Sequence, residues 1–568
     1  MTRTLDPITF EVIRNALVAA TDEMVLALRK SAYSTNIKTR SDFSCAFFDA
    51  QLRSVAQGFS QPVHLGSMVE QVPRAVRDYG PEKLGPGDVL IVNDPFRSGV
   101  HLNDVSLVSP AYHDGDLLGY VANLAHHVDV GGGAPASIGA FREVFQEGVI
   151  IPPVKLVEGG RIVDDVFQLI LAQIRSKAET AGDFRAQIAA NTTGVRRLQA
   201  LVARHGHATI VSAMGDLLDY TERRTRAELA ALPHGVYEAE GTVDTDGYSD
   251  EPVLLRARVE LSADGVAFDL AGSDAQRRAP VNSTYAMTFS ACAYALKCLI
   301  DPDLPVNDGF YRLVTLDAPR GSVTNCTWPS PVVGGWETQT RLVDVIFRAL
   351  LPALPERLPA GTKAMMCHAG FGGVDPQTSE YYCFLETFAG GYGGRASSDG
   401  PDAVQTHGQN TENAPVEETE LNYPVRVTRL SLVDDSEGAG RFRGGLGLRK
   451  DYLFDRPTTF TVLADRTARG PWGVFGGHDG RPAEYVLIRG GAERRLPAKA
   501  TVELQAGDVV SYRTCGGGGY GPPRERDPAS VLRDVLEEKV SVERARDVYG
   551  VAVADRRLDE AATEALRA

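Results

Sequence analysis

Two apolar runs, residues 105–112 and 117–124, flank the dipeptide Asp114-Gly115. An Asp-Gly pair between such runs is a strong signal for a two-residue type I′ turn, whose central residues both need positive φ. This part of the chain is therefore committed to a long antiparallel hairpin. Four consecutive apolar residues, 89–92, bounded by turn formers, predict a buried strand just before it. A two-residue loop pairs positions whose numbers sum to 229, which sets Asp104 opposite Ala125 and Asn103 opposite His126. His101, Asp104 and the pair His126-His127 then gather at the open end of one hairpin.

Two imidazoles and a carboxylate at one place suit a divalent metal, with positions left for water or substrate. Strand alternation alone does not choose between His126 and His127. His101 and Asp104 are three apart and cannot share a face of a regular strand, so that stretch must bend. Asp94, Asp129 and His64 are candidate outer partners, because ligating histidines usually hydrogen-bond a second group. The competing reading is a polar hairpin end with solvated histidines.

Around this hairpin the chain reads as mixed α/β (α+β) and multi-domain, with mixed β-sheets, an N-terminal metal-site domain and a β-rich C-terminal region. Asp6 and Pro7 open a helix as N-cap and first residue, followed by an apolar stripe from Val12 to Leu28 at helical spacing. Residues 166–204 and 220–232 are helical in pattern. Short alternating strands with Asp-Gly turns follow in 236–270, and helices are expected over 284–300 and 342–351. Residues 390–413 read as a long loop. The expected units are 1–232, 233–425, 426–525 and a helical tail, 526–568.

The 568 residues carry a net charge of −15, which argues against a nucleic-acid surface or a basic membrane surface. No apolar run is long enough for a membrane span, no secretory signal is visible, and seven scattered cysteines read as reduced thiols, so a cytoplasmic protein is expected. There is no GxxxxGK[ST] or GxSxG, and Gly445-Leu-Gly447 lacks the rest of a dinucleotide fingerprint, so no cofactor-binding residue is assigned. The run from Gly516 to Gly519 precedes Tyr520-Gly521-Pro522, which reads as a tight turn, and is structural rather than phosphate-binding because no strand-to-helix context surrounds it. Cys367 beside His368 is a weak candidate thiol, since neighbours on a strand point to opposite faces. The acidic run around Glu417, Glu418 and Glu420 reads as a solvated face, and Asp465-Arg466 with Trp472 as packing.

Several further segments carry a family resemblance. They include Asp42-Phe43-Ser44, then Asn93-Asp94-Pro95 with Gly99-x-His101-x-x-Asp104, and Asn413-x-Pro415-x-Glu417. The run 435–445, Pro471-Trp472-Gly473 with Gly476-Gly477, and 516–521 with Arg526-Asp527-Pro528 complete the order. With these the chain resembles the hydantoinase B/oxoprolinase family over nearly its whole length. The resemblance implies a subunit that works with a hydantoinase A-type ATP-binding partner, in a heterotetramer or larger hetero-oligomer. ATP and Mg2+ would act at the partner, which phosphorylates a hydantoin, lactam or 5-oxoproline-like ring. Such activation matters because an unstrained ring amide is a poor electrophile.

Carried over by position, the implied metal ligands are His101, Asp104 and His126, holding Zn2+ or Mn2+ ahead of Fe2+ and activating the attacking water. Asp94, His127 or Asp129 would shuttle the proton. Thr39 stands where the family often has a glutamate, which leaves a coordination position to water, substrate or a carboxylate such as Asp42. The alternatives are a subunit of an ATP-dependent ketone carboxylase of the acetone or acetophenone type, and a non-catalytic assembly subunit. The chain is shorter than large carboxylase subunits tend to be, which favours hydrolysis.

Overall fold

In the computed structural model, which describes residues 5–58 and 61–568, the first helix starts as its sequence dictates. The Asp6 side chain accepts from the amides of Ile8 and Thr9 at 3.1 and 3.0 Å. Helices α1 (Pro7–Ser31) and α2 (Thr35–Lys38) lead into strands β1 (Phe43–Asp49) and β2 (Ser54–Gln57), then α3 (Pro62–Tyr79). Strands β3 (Val89–Val92), β4 (Asp104–His113), β5 (Asp116–His126), β6 (Val154–Glu158) and β7 (Arg161–Ile162) complete a seven-stranded sheet in the order β2-β1-β5-β4-β3-β6-β7. Helices α4 (Asp164–Leu171), α5 (Lys177–His205) and α6 (His207–Ala230) follow.

Strand alternation decides which residues meet which helix. Phe43, Cys45 and Phe47 of β1, with Val121 and Ala125 of β5, pack into the core built on α1 and α5. Ala46 and Phe48, with Ala122 and Leu124, pack on the other face with Val63, Met68 and Val72 of α3. The sheet is thus sandwiched, and both faces of its central strands are buried.

The hairpin turn forms as expected, with φ of 50° at Asp114 and 92° at Gly115. The register does not continue as expected. His113 faces Asp116 and Tyr112 faces Leu117, but the next pair is Ala111 with Gly119, and the shift carries through to Asp104 opposite His126 and Val105 opposite Ala125. Leu118 is an extra residue, a β-bulge that moves the far end by one position. Gly119 lets the neighbouring strand close in: with φ of 149°, a Cβ there would lie 2.1 Å from the Phe48 carbonyl oxygen.

A second sheet, β11-β10-β9-β8, is built from β8 (Gly235–Val243), β9 (Val253–Leu261), β10 (Val266–Asp269) and β11 (Val314–Asp317), with β10 and β11 parallel. Its core holds residues of α7 (Tyr285–Lys297) and of α9 (Gly335–Leu350), which follows the short α8 (Asp308–Tyr311). A third sheet pairs β12 (His368–Val374) and β13 (Tyr381–Thr387) with β16 (Thr458–Leu463) and β19 (Lys499–Leu504), so its strands come from both sides of residue 425. After α10 (Val416–Asn422), strands β14 (Val425–Leu432), β15 (Leu448–Phe454), β17 (Glu484–Arg489), β18 (Ala492–Arg495) and β20 (Val509–Arg513) make a fourth. The two sheets share an aromatic core that includes Phe371, Phe384, Tyr452, Phe460, Tyr485 and Tyr512. The tail carries α11 (Pro528–Leu536), α12 (Val542–Asp547), the small pair β21 (Val553–Ala554) and β22 (Arg557–Leu558), and α13 (Glu560–Arg567).

The run from Gly516 to Gly519 is extended and leads into Tyr520-Gly521-Pro522, where Gly521 takes a positive φ of 73°. The run threads between other backbones: a Cβ on Gly518 would sit 1.9 Å from the Trp472 carbonyl oxygen, and one on Gly517 would sit 2.0 Å from that of Tyr392. Its amides donate to Gly445, Gly361 and His478 carbonyls. Glycine is required here by close backbone approach rather than by turn geometry. Among the described residues no helix is long and apolar enough to cross a membrane.

Candidate metal centre

The bulge brings Asp104 directly opposite His126 at the open end of the hairpin. Directly opposed residues share a face, so both point toward α3, while His127 points to the other side. The bend that lets His101 join them is tied by Asn103, whose side-chain amide donates to the carbonyls of His127 and Ala136 at 2.9 and 3.1 Å. The result is a compact triad. His126 Nδ1 donates to Asp104 Oδ1 at 3.0 Å, and His101 Nε2 lies 3.2 Å from Asp104 Oδ2. The two imidazole rings are 4.8 Å apart, and all three residues are at most 4% exposed.

Both ring nitrogens of His101, Nε2 of His126 and Oδ2 of Asp104 are buried without a hydrogen-bond partner among the described residues. Leaving one such atom unpaired costs about 1–3 kcal/mol, so four in one cluster call for a ligand. The donor set, two imidazoles and one carboxylate mutually within 4.8 Å, fits a divalent ion. The charges are poised for it. Burial would raise the Asp104 carboxyl, but His101 and His64 beside it, with the hydrogen bond from His126, hold it well below the usual carboxylate range. Burial pushes His101 down against the pull of Asp104. It works on His126 too, but is outweighed there by the Asp104 hydrogen bond and by Asp42, leaving that imidazole raised.

A second ring of residues encloses the triad. His64, near the start of α3, places Nε2 3.8 Å from Asp104 Oδ1 and 3.8 Å from Asp42 Oδ1. Trp336, in the first turn of α9, packs its indole 5.8 Å from the His101 ring and 6.0 Å from the His64 ring. Its neighbour Glu337 accepts from the Met366 and Cys367 amides at 2.9 and 3.1 Å, and lies 3.6 Å from His368 Nδ1. Burial lowers His368 despite Glu337, and the charges of His126 and Arg40 add to that. Arg40 is itself fully buried, donating to Asn36, the Leu385 carbonyl, Thr387 and the Glu412 carbonyl.

The three expected proton shuttles are not brought to the triad. Asp94 caps the turn that follows it, accepting from Phe96 N at 3.0 Å, and pairs with Arg97 at 3.3 Å. His127 bonds Gln187 of α5 at 2.9 Å and packs on Phe184. Asp129 pairs with Arg175 at 2.8 Å. Thr39 turns away as well, donating to Glu418 at 2.9 Å, so Glu418 binds a loop rather than facing solvent alone. Cys367 is buried near Tyr485, and burial pushes its thiol up, away from thiolate chemistry. Trp336, Glu337 and Arg40 carried no spacing signal toward the hairpin. His368 was visible only as a neighbour of Cys367.

Comparison with known proteins agrees with this architecture. Residues 6–523 match the family model described as hydantoinase B/oxoprolinase. An uncharacterized protein of Methanocaldococcus jannaschii is 40% identical over 97% of this chain and 96% of its own length. The caprolactamase subunit beta of Pseudomonas jessenii is 33% identical over 100% and 99%. The crystal structure of the ATP-dependent caprolactamase from that organism superposes with a TM-score of 0.93 at 30% identity, covering 100% of both chains. A nucleotide-free acetone carboxylase shares the fold, with a TM-score of 0.92 at 19% identity over 99% of this chain and 82% of that one.

Proposed function

The chain belongs to the hydantoinase B/oxoprolinase family, and from that premise we propose that it is the subunit of an ATP-dependent cyclic amidase in which a phosphorylated ring amide is opened. A hydantoinase A-type partner would phosphorylate the amide oxygen of a hydantoin, lactam or 5-oxoproline-like ring. The observation that carries the reading is the buried, unpartnered donor set of His101, Asp104 and His126. These three would hold a divalent ion, which when bound supplies a Lewis acid and lowers the pKa of water.

The chain's own residues do the rest. Asp104 orients both imidazoles from between them. Trp336 walls the site with its indole and keeps bulk solvent away from His101 and His64. Asp42 and His64 are the carboxylate and imidazole beside the triad, and they replace Asp94, His127 and Asp129 as the groups that take a proton from the attacking water. His368, backed by Glu337, returns a proton to the ring nitrogen as it leaves.

The test is to co-express the chain with a hydantoinase A-type subunit and supply ATP with hydantoin, caprolactam or 5-oxoproline. Loss of the ring nitrogen leaves an acyl phosphate that a second water hydrolyses, so ring-opened product with equimolar ADP and inorganic phosphate is expected. His101→Ala and Asp104→Ala should abolish ring opening and lose the bound metal. A product that appears only with bicarbonate and carries its mass would replace this reading with a carboxylase. Purified protein that takes up no divalent ion would replace it with an assembly role.

A further inference from the structure

We infer that the cavity walled by α9, the end of β8 and residues 466–482 is a phosphate-binding site, separate from the metal centre. From the sequence, the stretch around Arg466 and Trp472 reads as packing. In the fold these two residues line a cavity of about 720 Å³ together with Arg341, Arg348 and Arg469.

Four guanidinium groups converge there, two buried and two at the rim. Arg341 and Arg466 are 4% and 3% exposed. Each has one carboxylate partner, Asp465 for Arg341 at 2.7 Å and Asp344 for Arg466 at 2.8 Å. Burial, with the Arg341 charge beside it, holds the Arg466 guanidinium below its usual value in spite of Asp344. Arg341 Nε is buried with no hydrogen-bond partner among the described residues. Arg348 and Arg469 are exposed. Arg348 lies over the Trp472 ring, 5.9 Å from its centre, and reaches only the Glu240 carbonyl, at 3.5 Å. The Arg469 guanidinium has no partner among the described residues.

The carboxylates that share the cavity are committed elsewhere. Asp344 takes Arg466, the Trp472 indole N–H at 2.8 Å and the Thr362 amide at 3.0 Å, and meets His407 Nε2 at 3.3 Å. Asp244 accepts from the amides of Ala468 and Arg469 at 2.8 and 3.2 Å, and Asp479 from that of Gly473 at 2.8 Å. Glu240 pairs with Arg256 at 2.8 Å. What remains is a surplus of cationic donors: Arg341 Nε and the guanidinium edges of Arg348 and Arg469. A guanidinium is a planar fork that matches two oxygens of a phosphate, and a dianion offsets both rim charges at once. The site is tied to the metal centre without sharing it. Arg341 follows Glu337 by one turn of α9, so a bound phosphate braces the helix that carries Trp336 and Glu337.

The experiment titrates metal-free, full-length protein with inorganic phosphate and with ADP, read by calorimetry and 31P NMR. Saturable binding of one phosphate group per chain is expected, with a Kd of about 1 mM or tighter. Arg348→Gln and Arg469→Gln, both at exposed positions, should each weaken it about 10-fold with the melting temperature unchanged. Arg341→Lys keeps the charge but loses Nε, and should weaken it by a similar factor. His101→Ala should bind phosphate as the wild type does, because the triad takes no part. Equal affinity for the two probes identifies the free ion and tighter ADP a nucleotide, and either supports the site. No saturable binding of either probe, or wild-type affinity in both Arg348→Gln and Arg469→Gln, would overturn the assignment. Loss of binding in His101→Ala would overturn it as well, by moving the phosphate to the triad.

Discussion

Glu147 gives the sharpest handle on how α9, with Trp336 and Glu337, is held against the hairpin domain. Its carboxyl is 1% exposed. One oxygen accepts from the amides of Val332 and Val333 at 2.7 and 2.8 Å, two residues before α9 begins, and the other has no partner among the described residues. Burial outweighs those two hydrogen bonds and raises the group from 4.5 to about 8. The folded protein therefore binds a proton that the unfolded chain has released between these values. The stabilisation is complete below about pH 4.5 and is lost as pH rises to about 8. At about 1.4 kcal/mol for each pKa unit, the whole swing is at most about 5 kcal/mol. Glu147→Gln keeps the accepting oxygen and cannot ionise, but it leaves an amide unpaired at about 1–3 kcal/mol at every pH. The variant should be the less stable protein near pH 5 and the more stable one near pH 8.5. With an unfolding entropy of about 2.1 cal/mol/K per residue, a 568-residue unit would show a relative shift of about 4 °C between the two conditions. Tryptophan fluorescence is a direct assay, since Trp328 and Trp336 flank the clamped amides. A melting difference that stays the same at both pH values would refute the argument, because it would mean that Glu147 does not exchange its proton on unfolding.

Other residues allow equally direct tests. Gly518→Ala forces a methyl group to 1.9 Å from the Trp472 carbonyl oxygen, backbone against backbone; a loss of about 3 kcal/mol or more is expected, read as lower soluble yield and a lower melting temperature. Asp104→Asn in metal-free protein removes the carboxylate that raises His126, so the His126 NMR titration should move to lower pH. Arg40→Met removes a charge that lowers both His126 and His368, so both should titrate at higher pH. The same change leaves the Leu385 and Glu412 carbonyls and the Asn36 and Thr387 side chains without their donor, which should cost about 3–5 kcal/mol in chemical denaturation.

Much of the fold follows from local chemistry. Asp6-Pro7 and Asp114-Gly115 act through contacts within a few residues, and the fold contains the cap and the turn they call for. The alternation of strands β8 to β10 and the helical spacing of 284–300 are local in the same sense, and both elements are present. Glycine is harder to read. Its sequence signal is the same whether it serves positive φ, as at Gly115, or close packing of backbones, as at Gly517 and Gly518. Only the second backbone segment, brought from Trp472 or from Tyr392, distinguishes the two. The same holds for the site. Trp336 and Glu337 come to the triad from over 200 residues downstream, and no spacing rule links them to a hairpin.

The histidine that joins the triad is settled by a single residue. In a ladder that continued from the turn without interruption, Asp104 would stand opposite Ala125 and share its face. That face is packed on α1 and α5, where Ala125 and Val121 lie, and it is the face that His127 takes with Phe184 and Gln187. Asp104 would then neighbour His127, and His126 would lie on the far side of the sheet. Leu118 breaks that symmetry. By adding one residue to β5 alone it shifts every later pair, and a shift of one inverts the faces. Asp104, on one face with Ser106 and Val108, then shares that face with His126 and not His127, and there Ser106 donates to Gln71 of α3 at 2.6 Å and His64 also lies. The bulge sits near the closed end of the hairpin and the ligands at the open end, so the hydrogen-bonded ladder carries the choice along the length of both strands.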